Sequence, residues 1–119
     1  MTPLLRPTCV HVSLKSIQCN IAAVRDLTLR RPLCAVVKAN AYGHGLVGVG
    51  RALESLGVEW LAVALVEEGI ELREAGIRTP ILVLGMSLSG YRELVDFNLV
   101  PTLYRLDQIG SYAHAAHDR

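Results

Sequence analysis

Lys38 stands at the end of the apolar run Leu33–Val37. In parallel α/β folds the working groups sit at the carboxyl ends of strands. A lysine amine placed there can attack a carbonyl and form a covalent link. Lysine is scarce in this chain, which has only Lys15 and Lys38 against ten arginines. Position alone equally describes a surface lysine stretching from a strand end to reach water. The neighbours have to decide, and they read Val36-Val37-Lys38-Ala39-Asn40-Ala41-Tyr42-Gly43-His44-Gly45. A phenol, Tyr42, follows the amine by four residues.

A second pattern lies over the same segment. Gly43-His44-Gly45-Leu46-Val47-Gly48 fits the dinucleotide fingerprint G-x-G-x-x-G, and Glu67 and Glu68 follow about 20 residues on, where a ribose-binding acid belongs. The spacing argues against that use. In the fingerprint the first glycine turns directly off the strand, whereas here five residues, Lys38 to Tyr42, separate Val37 from Gly43. His114 and His117 have a metal-like i, i+3 spacing, yet a lone pair near a chain end reads as solvated. The three cysteines, Cys9, Cys19 and Cys34, show no Cys-x-x-Cys spacing and read as free, buried thiols in a reducing compartment.

The elements that must position these residues alternate in type. Thr8–Val12 alternates apolar and polar residues and predicts a short strand. Ser13 can cap a helix running to about Arg30, with Leu14, Ile17, Ile21 and Val24 as its apolar stripe and Pro32 as its stop. Leu33–Val37, Trp60–Val66, Ile81–Leu84 and Val100–Leu103 predict four strands. Helices are expected over about Gly45 to Leu56, Glu67 to Ala75, Ser89 to Phe97 and from Asp107 onward. Leu46, Val49, Leu53 and Leu56 share one face of the first of these. Strands apolar on both faces, alternating with amphipathic helices, predict an α/β fold of about four βα units with a helix-covered parallel sheet.

Composition narrows the class further. Of 119 residues, 51% are hydrophobic and 19% charged, and the mean hydropathy is +0.35, which excludes a disordered chain. A net charge of +1 offers no footprint for nucleic acid or an anionic membrane. The longest stretches free of Asp, Glu, Lys and Arg, Thr79–Tyr91 and Ala39–Gly50, fall short of a membrane span and are broken by glycines. The opening residues lack the basic lead and apolar core of a secretory signal, so a cytoplasmic protein is expected.

The segment from Val36 to Gly45 resembles the pyridoxal-phosphate attachment segment of bacterial alanine racemases. The flanks agree: Arg6-Pro7-Thr8 resembles that family's opening, Val66 to Ile77 its second helix, and Pro80-Ile81-Leu82-Val83-Leu84-Gly85 its third barrel strand. The resemblance implies the N-terminal portion of a TIM-type (β/α)8 barrel, with residues 1–31 as a leading strand and helix and 32–119 as βα units one to four. It implies pyridoxal 5'-phosphate as cofactor and a homodimer as the working assembly. Lys38 would hold the cofactor covalently and act as an acid/base on the α-proton. Tyr42 would bind the cofactor phosphate, and Val36 and Leu84 would line its ring.

The implied reaction interconverts L- and D-alanine, which supplies D-alanine for peptidoglycan. A full barrel needs about 250 residues, so an incomplete barrel domain without the family's C-terminal β domain is expected. Such a fragment is expected to be inactive alone and to expose apolar surface and an unpaired strand edge. The resemblance also implies a second acid/base on the opposite face, a tyrosine of the partner subunit's C-terminal domain; it and the substrate-reading residues are expected beyond Arg119. That leaves two competitors, a serine or broad-specificity racemase of the same family and a non-catalytic truncated fragment.

Overall fold

Four apolar segments pair side by side as one parallel sheet, β1 (Cys34–Val36), β2 (Trp60–Val63), β3 (Ile81–Val83) and β4 (Val100–Pro101), in the order β1-β2-β3-β4. The structure, a computed structural model, describes residues 8–85 and 89–118. Helix α1 (Leu14–Leu27) precedes β1, and a single short turn, α2 (Lys38–Tyr42), follows it. Helices α3 (Leu46–Ser55), α4 (Val66–Glu74) and α5 (Tyr91–Asp96) link successive strands, and α6 (Leu106–His117) follows β4. Strands in sequence order with no reversal are the winding of a (β/α)8 barrel. A doubly wound dinucleotide-binding sheet instead reverses at a switch point. The described strands have no such reversal, so the glycine fingerprint has no crevice to serve.

The two faces of the sheet differ. Side chains alternate across a strand, and the register sets Leu61 beside Ile81 and Val63 beside Val83. All four are at most 1% exposed. They form one cluster with Leu46, Val49 and Leu53 of α3, Leu72 of α4 and Leu94 of α5. The opposite face carries the row Val36–Ala62–Leu82–Val100. Ala62 is buried in the middle of that row, whereas Val36 is 42% and Val100 39% exposed. The strands are therefore apolar on both faces, as their sequences predict, but the described residues cover only one. In a closed barrel that second face is filled by side chains of all eight strands.

Helix α1 begins where its cap predicts. Ser13 Oγ accepts a hydrogen bond from Ser16 N at 3.2 Å. It ends at Leu27 rather than Arg30, because Leu29 and Arg30 adopt left-handed φ values of 53° and 58°. Arg25, not Arg30 or Arg31, is the basic residue of its last turn. Only Ile17 and Ile21 of its stripe pack against the core, while Leu14 and Val24 stay exposed. Thr8–Val12 forms no strand. A strand needs a ladder partner, and β1 to β4 pair only with one another. Arg6-Pro7 lies outside the described residues. The three cysteines are exposed rather than buried, Cys34 because it lies on the uncovered side of β1.

Glu59 ties α1 to the start of β1. Its carboxylate accepts Leu33 N at 2.8 Å and Arg25 Nη1 at 3.0 Å. Arg25 Nη2 also donates to Gly57 O at 2.7 Å. The Leu33 amide, then the Arg25 guanidinium, hold the Glu59 pKa down from 4.5 to about 2. A folded-state pKa below the unfolded one contributes stability above the unfolded value, which is lost as pH falls toward the folded one. The thermal midpoint of the parent should therefore fall relative to Glu59→Gln between pH 4.5 and about pH 2. Parallel pH curves for the two proteins would contradict this anchor.

Candidate active site

Strand β1 delivers Lys38 to the carboxyl edge of the sheet, and Val37 N still donates to Ala62 O of β2 at 2.8 Å. The chain then winds the wrong way for L-residues. Ala39 (φ 52°, ψ 55°), Asn40 (55°, 43°) and Ala41 (52°, 48°) are left-handed, and Tyr42 follows at φ 55°. Ala41 N donates to Val37 O at 2.9 Å and Gly43 N to Ala39 O at 3.2 Å. These i to i−4 bonds make α2 one turn of left-handed α-helix. Each non-glycine residue in that region costs about 1–2 kcal/mol, so the surroundings must hold the turn in place.

Three side chains do so. Asn40 Oδ1 accepts Leu46 N at 2.8 Å and so satisfies the start of α3. His44 Nδ1 donates to Ala41 O at 2.9 Å, the carbonyl being able only to accept. Glu68, in the first turn of α4, accepts Ala39 N at 2.6 Å through Oε1 and Ala64 N and Leu65 N at 2.8 and 3.0 Å through Oε2. Ala41 itself is 5% exposed and joins the core. Gly43 and Gly45 leave the turn at φ 85° and 96°, values that favour glycine. These two glycines serve the turn, and Gly48 is an ordinary residue of α3.

The four residues implied for the cofactor, Lys38, Tyr42, Val36 and Leu84, lie at this edge. Lys38 is half-buried, Tyr42 is 61% exposed, and Val36 ends β1 on the uncovered face. Leu84 follows β3 directly and is half-buried; its N–H donates to Val63 O at 2.8 Å. Leu84 meets a residue the sequence did not mark, because Tyr104 Oη donates to Leu84 O at 2.6 Å. Gly85 fits the same edge tightly: a Cβ there would lie 2.5 Å from Ala64 O. The sequence offered Glu68 only as a ribose-binding acid of the glycine fingerprint; its reach to Ala39 is set by the fold. His114 Nε2 lies 3.6 Å from Asp118 Oδ2 on an exposed helix. Among the described residues no three His, Cys, Asp or Glu side chains group to hold a metal ion.

The donor set suits a small aldehyde-bearing phosphate with an aromatic ring. It comprises one amine for the aldehyde, one exposed phenol for a phosphate oxygen, and apolar side chains at the ends of β1 and β3 for the ring. Among the described residues no helix is long and apolar enough to cross a membrane.

Residues 12–119 match the family described as alanine racemase, N-terminal domain. Alanine racemase of Carboxydothermus hydrogenoformans is 41% identical over 109 residues, which are 91% of this chain and 30% of that protein. Alanine racemase of Symbiobacterium thermophilum is 48% identical over 91 residues, 76% of this chain and 24% of that one. The chain thus spans about 30% or less of these curated relatives. Among solved structures, alanine racemase of Clostridium difficile 630 in complex with cycloserine superposes with a TM-score of 0.91 at 34% identity, covering 98% of this chain and 32% of that one. Alanine racemase of Bacillus anthracis with bound L-Ala-P gives 0.84 at 32% identity, covering 99% and 31%.

Proposed function

The chain belongs to the alanine racemase N-terminal-domain family, and on that premise we propose that it forms the cofactor-lysine portion of a pyridoxal-phosphate-dependent alanine racemase. Residues 1–31 are the leading segment with its helix, and 32–119 are the first four βα units of the barrel. The observation that carries this reading is the Lys38 amine presented on a braced left-handed turn at the carboxyl edge of the sheet.

Pyridoxal phosphate, when bound, draws electron density from the substrate α-carbon and so makes its proton removable. Lys38 Nζ would hold the cofactor covalently, and as a free amine it would accept the α-proton on one face and return it. Tyr42 Oη donates a hydrogen bond to a phosphate oxygen. Val36 and Leu84 bound the ring and keep water from its neighbourhood. Inversion needs a second acid/base on the other face, which we assign to a partner subunit in a homodimer. The substrate is alanine, the product D-alanine serves peptidoglycan, and the compartment is the cytoplasm.

The test uses the scarcity of lysine. After incubation with pyridoxal phosphate and borohydride reduction, peptide mapping of the folded protein should find the cofactor on Lys38. Label on Lys15, or on neither lysine, would refute the assignment.

A further inference from the structure

Glu68 is one of the acids that the glycine fingerprint would assign to a ribose, and the strand order removes that use. Its carboxylate spans two βα units instead. Among the described residues it is the only side chain from another unit that hydrogen-bonds α2. Oε1 accepts Ala39 N at 2.6 Å, while Oε2 accepts Ala64 N at 2.8 Å and Leu65 N at 3.0 Å. Ala39 N belongs to the peptide plane that begins at the Lys38 carbonyl. Holding that plane fixes ψ of Lys38, and with it the direction in which the Lys38 side chain leaves the backbone. It also pins the first left-handed residue of the turn, where an unrestrained alanine would relax to φ below zero.

We propose that Glu68 is a positioning residue for the Lys38 amine, clamping the Lys38–Ala39 peptide to the end of β2 and the start of α4. The inference rests on the role given to Lys38 above. All three partners are N–H donors, so both carboxyl oxygens must act as acceptors. A glutamine has one acceptor oxygen. With that oxygen kept on Ala64 N and Leu65 N, its NH2 group faces the Ala39 N–H, donor against donor. Glu68→Gln therefore releases the lysine turn and spares the helix cap. Glu68→Asp keeps the charge and the cap but is one methylene too short to reach Ala39 as well.

The experiment compares both variants with the parent and with Glu67→Gln in the full-length racemase loaded with pyridoxal phosphate. Glu67 is an exposed neighbour outside the site. Borohydride reduction should still place the cofactor on Lys38 in both Glu68 variants, with thermal midpoints close to the parent. Their kcat should fall about 10- to 100-fold with KM changed less than about threefold, because the amine still binds but no longer aims. The pH profile of kcat should shift in both, and Glu67→Gln should match the parent. A kcat for Glu68→Gln within about twofold of the parent overturns the clamp and leaves Lys38 as the cofactor residue. Failure of both variants to fold also overturns it, since Glu68 then supports the fold generally. A parent whose reduced cofactor sits elsewhere than Lys38 overturns both readings.

Discussion

On the function proposed for Lys38, Lys38→Ala in the full-length racemase should lower kcat/KM for alanine by about 10³-fold or more, because one substitution would remove both the covalent anchor and an acid/base. Either role alone would cost less. An enzyme that lost only the anchor could still bind the cofactor through Tyr42 and the apolar strand ends. An enzyme that lost only the acid/base would still show covalent attachment. The loss should appear mainly in kcat, because proton transfer is felt in the transition state and not in substrate binding. Lys38→Arg should not restore activity. A guanidinium stays protonated at working pH and cannot take up the α-proton. The measurement is D-alanine formation from L-alanine in a stopped assay, with cofactor content determined separately. D-alanine formation that survives Lys38→Ala would refute the catalytic role.

The second large effect concerns the fold. Leu61→Ala should destabilise the protein by about 2–5 kcal/mol, the range for deleting a fully buried leucine side chain that its surroundings cannot fill. Leu61 is 0% exposed and faces the helices, in register with Ile81. Val36→Ala, on the neighbouring strand but the other face, should cost under about 1 kcal/mol in the 119-residue chain. Val36 is 42% exposed there and has little packing to lose. Urea midpoints at constant slope measure both. Equal costs would mean that the two faces of the sheet are not as different as their burial indicates.

Much of this was legible beforehand. The alternation of apolar runs with helical stripes, with Pro32 as a stop, was enough to predict βα units, and the strands formed within a few residues of their predicted spans. The Ser13 cap was legible because capping is a local bond between residues three apart. Thr8–Val12 forms no strand in this chain because alternation describes what a strand can do, while pairing depends on a partner that lies outside the local sequence. The exposed cysteines escaped for a related reason. Cysteine usually packs, but whether Cys34 is covered depends on what faces β1. Asn40 and His44 had no role that spacing could assign, since their partners, Leu46 N and Ala41 O, become neighbours only once the chain turns left-handed.

The sequence by itself determined the order of elements, the two-sided apolar character of the strands and the place of Lys38 at a strand end. Those follow from periodicity and from turn-forming residues, which act over a few positions along the chain. Only the tertiary structure decided that the strands lie in unbroken sequence order, which face of the sheet the helices cover, and that Glu68 accepts the Ala39 amide after Lys38. Glu68 and Ala39 are 29 residues apart. Contacts at that separation are set by how the sheet brings neighbouring βα units together, and no local pattern records them.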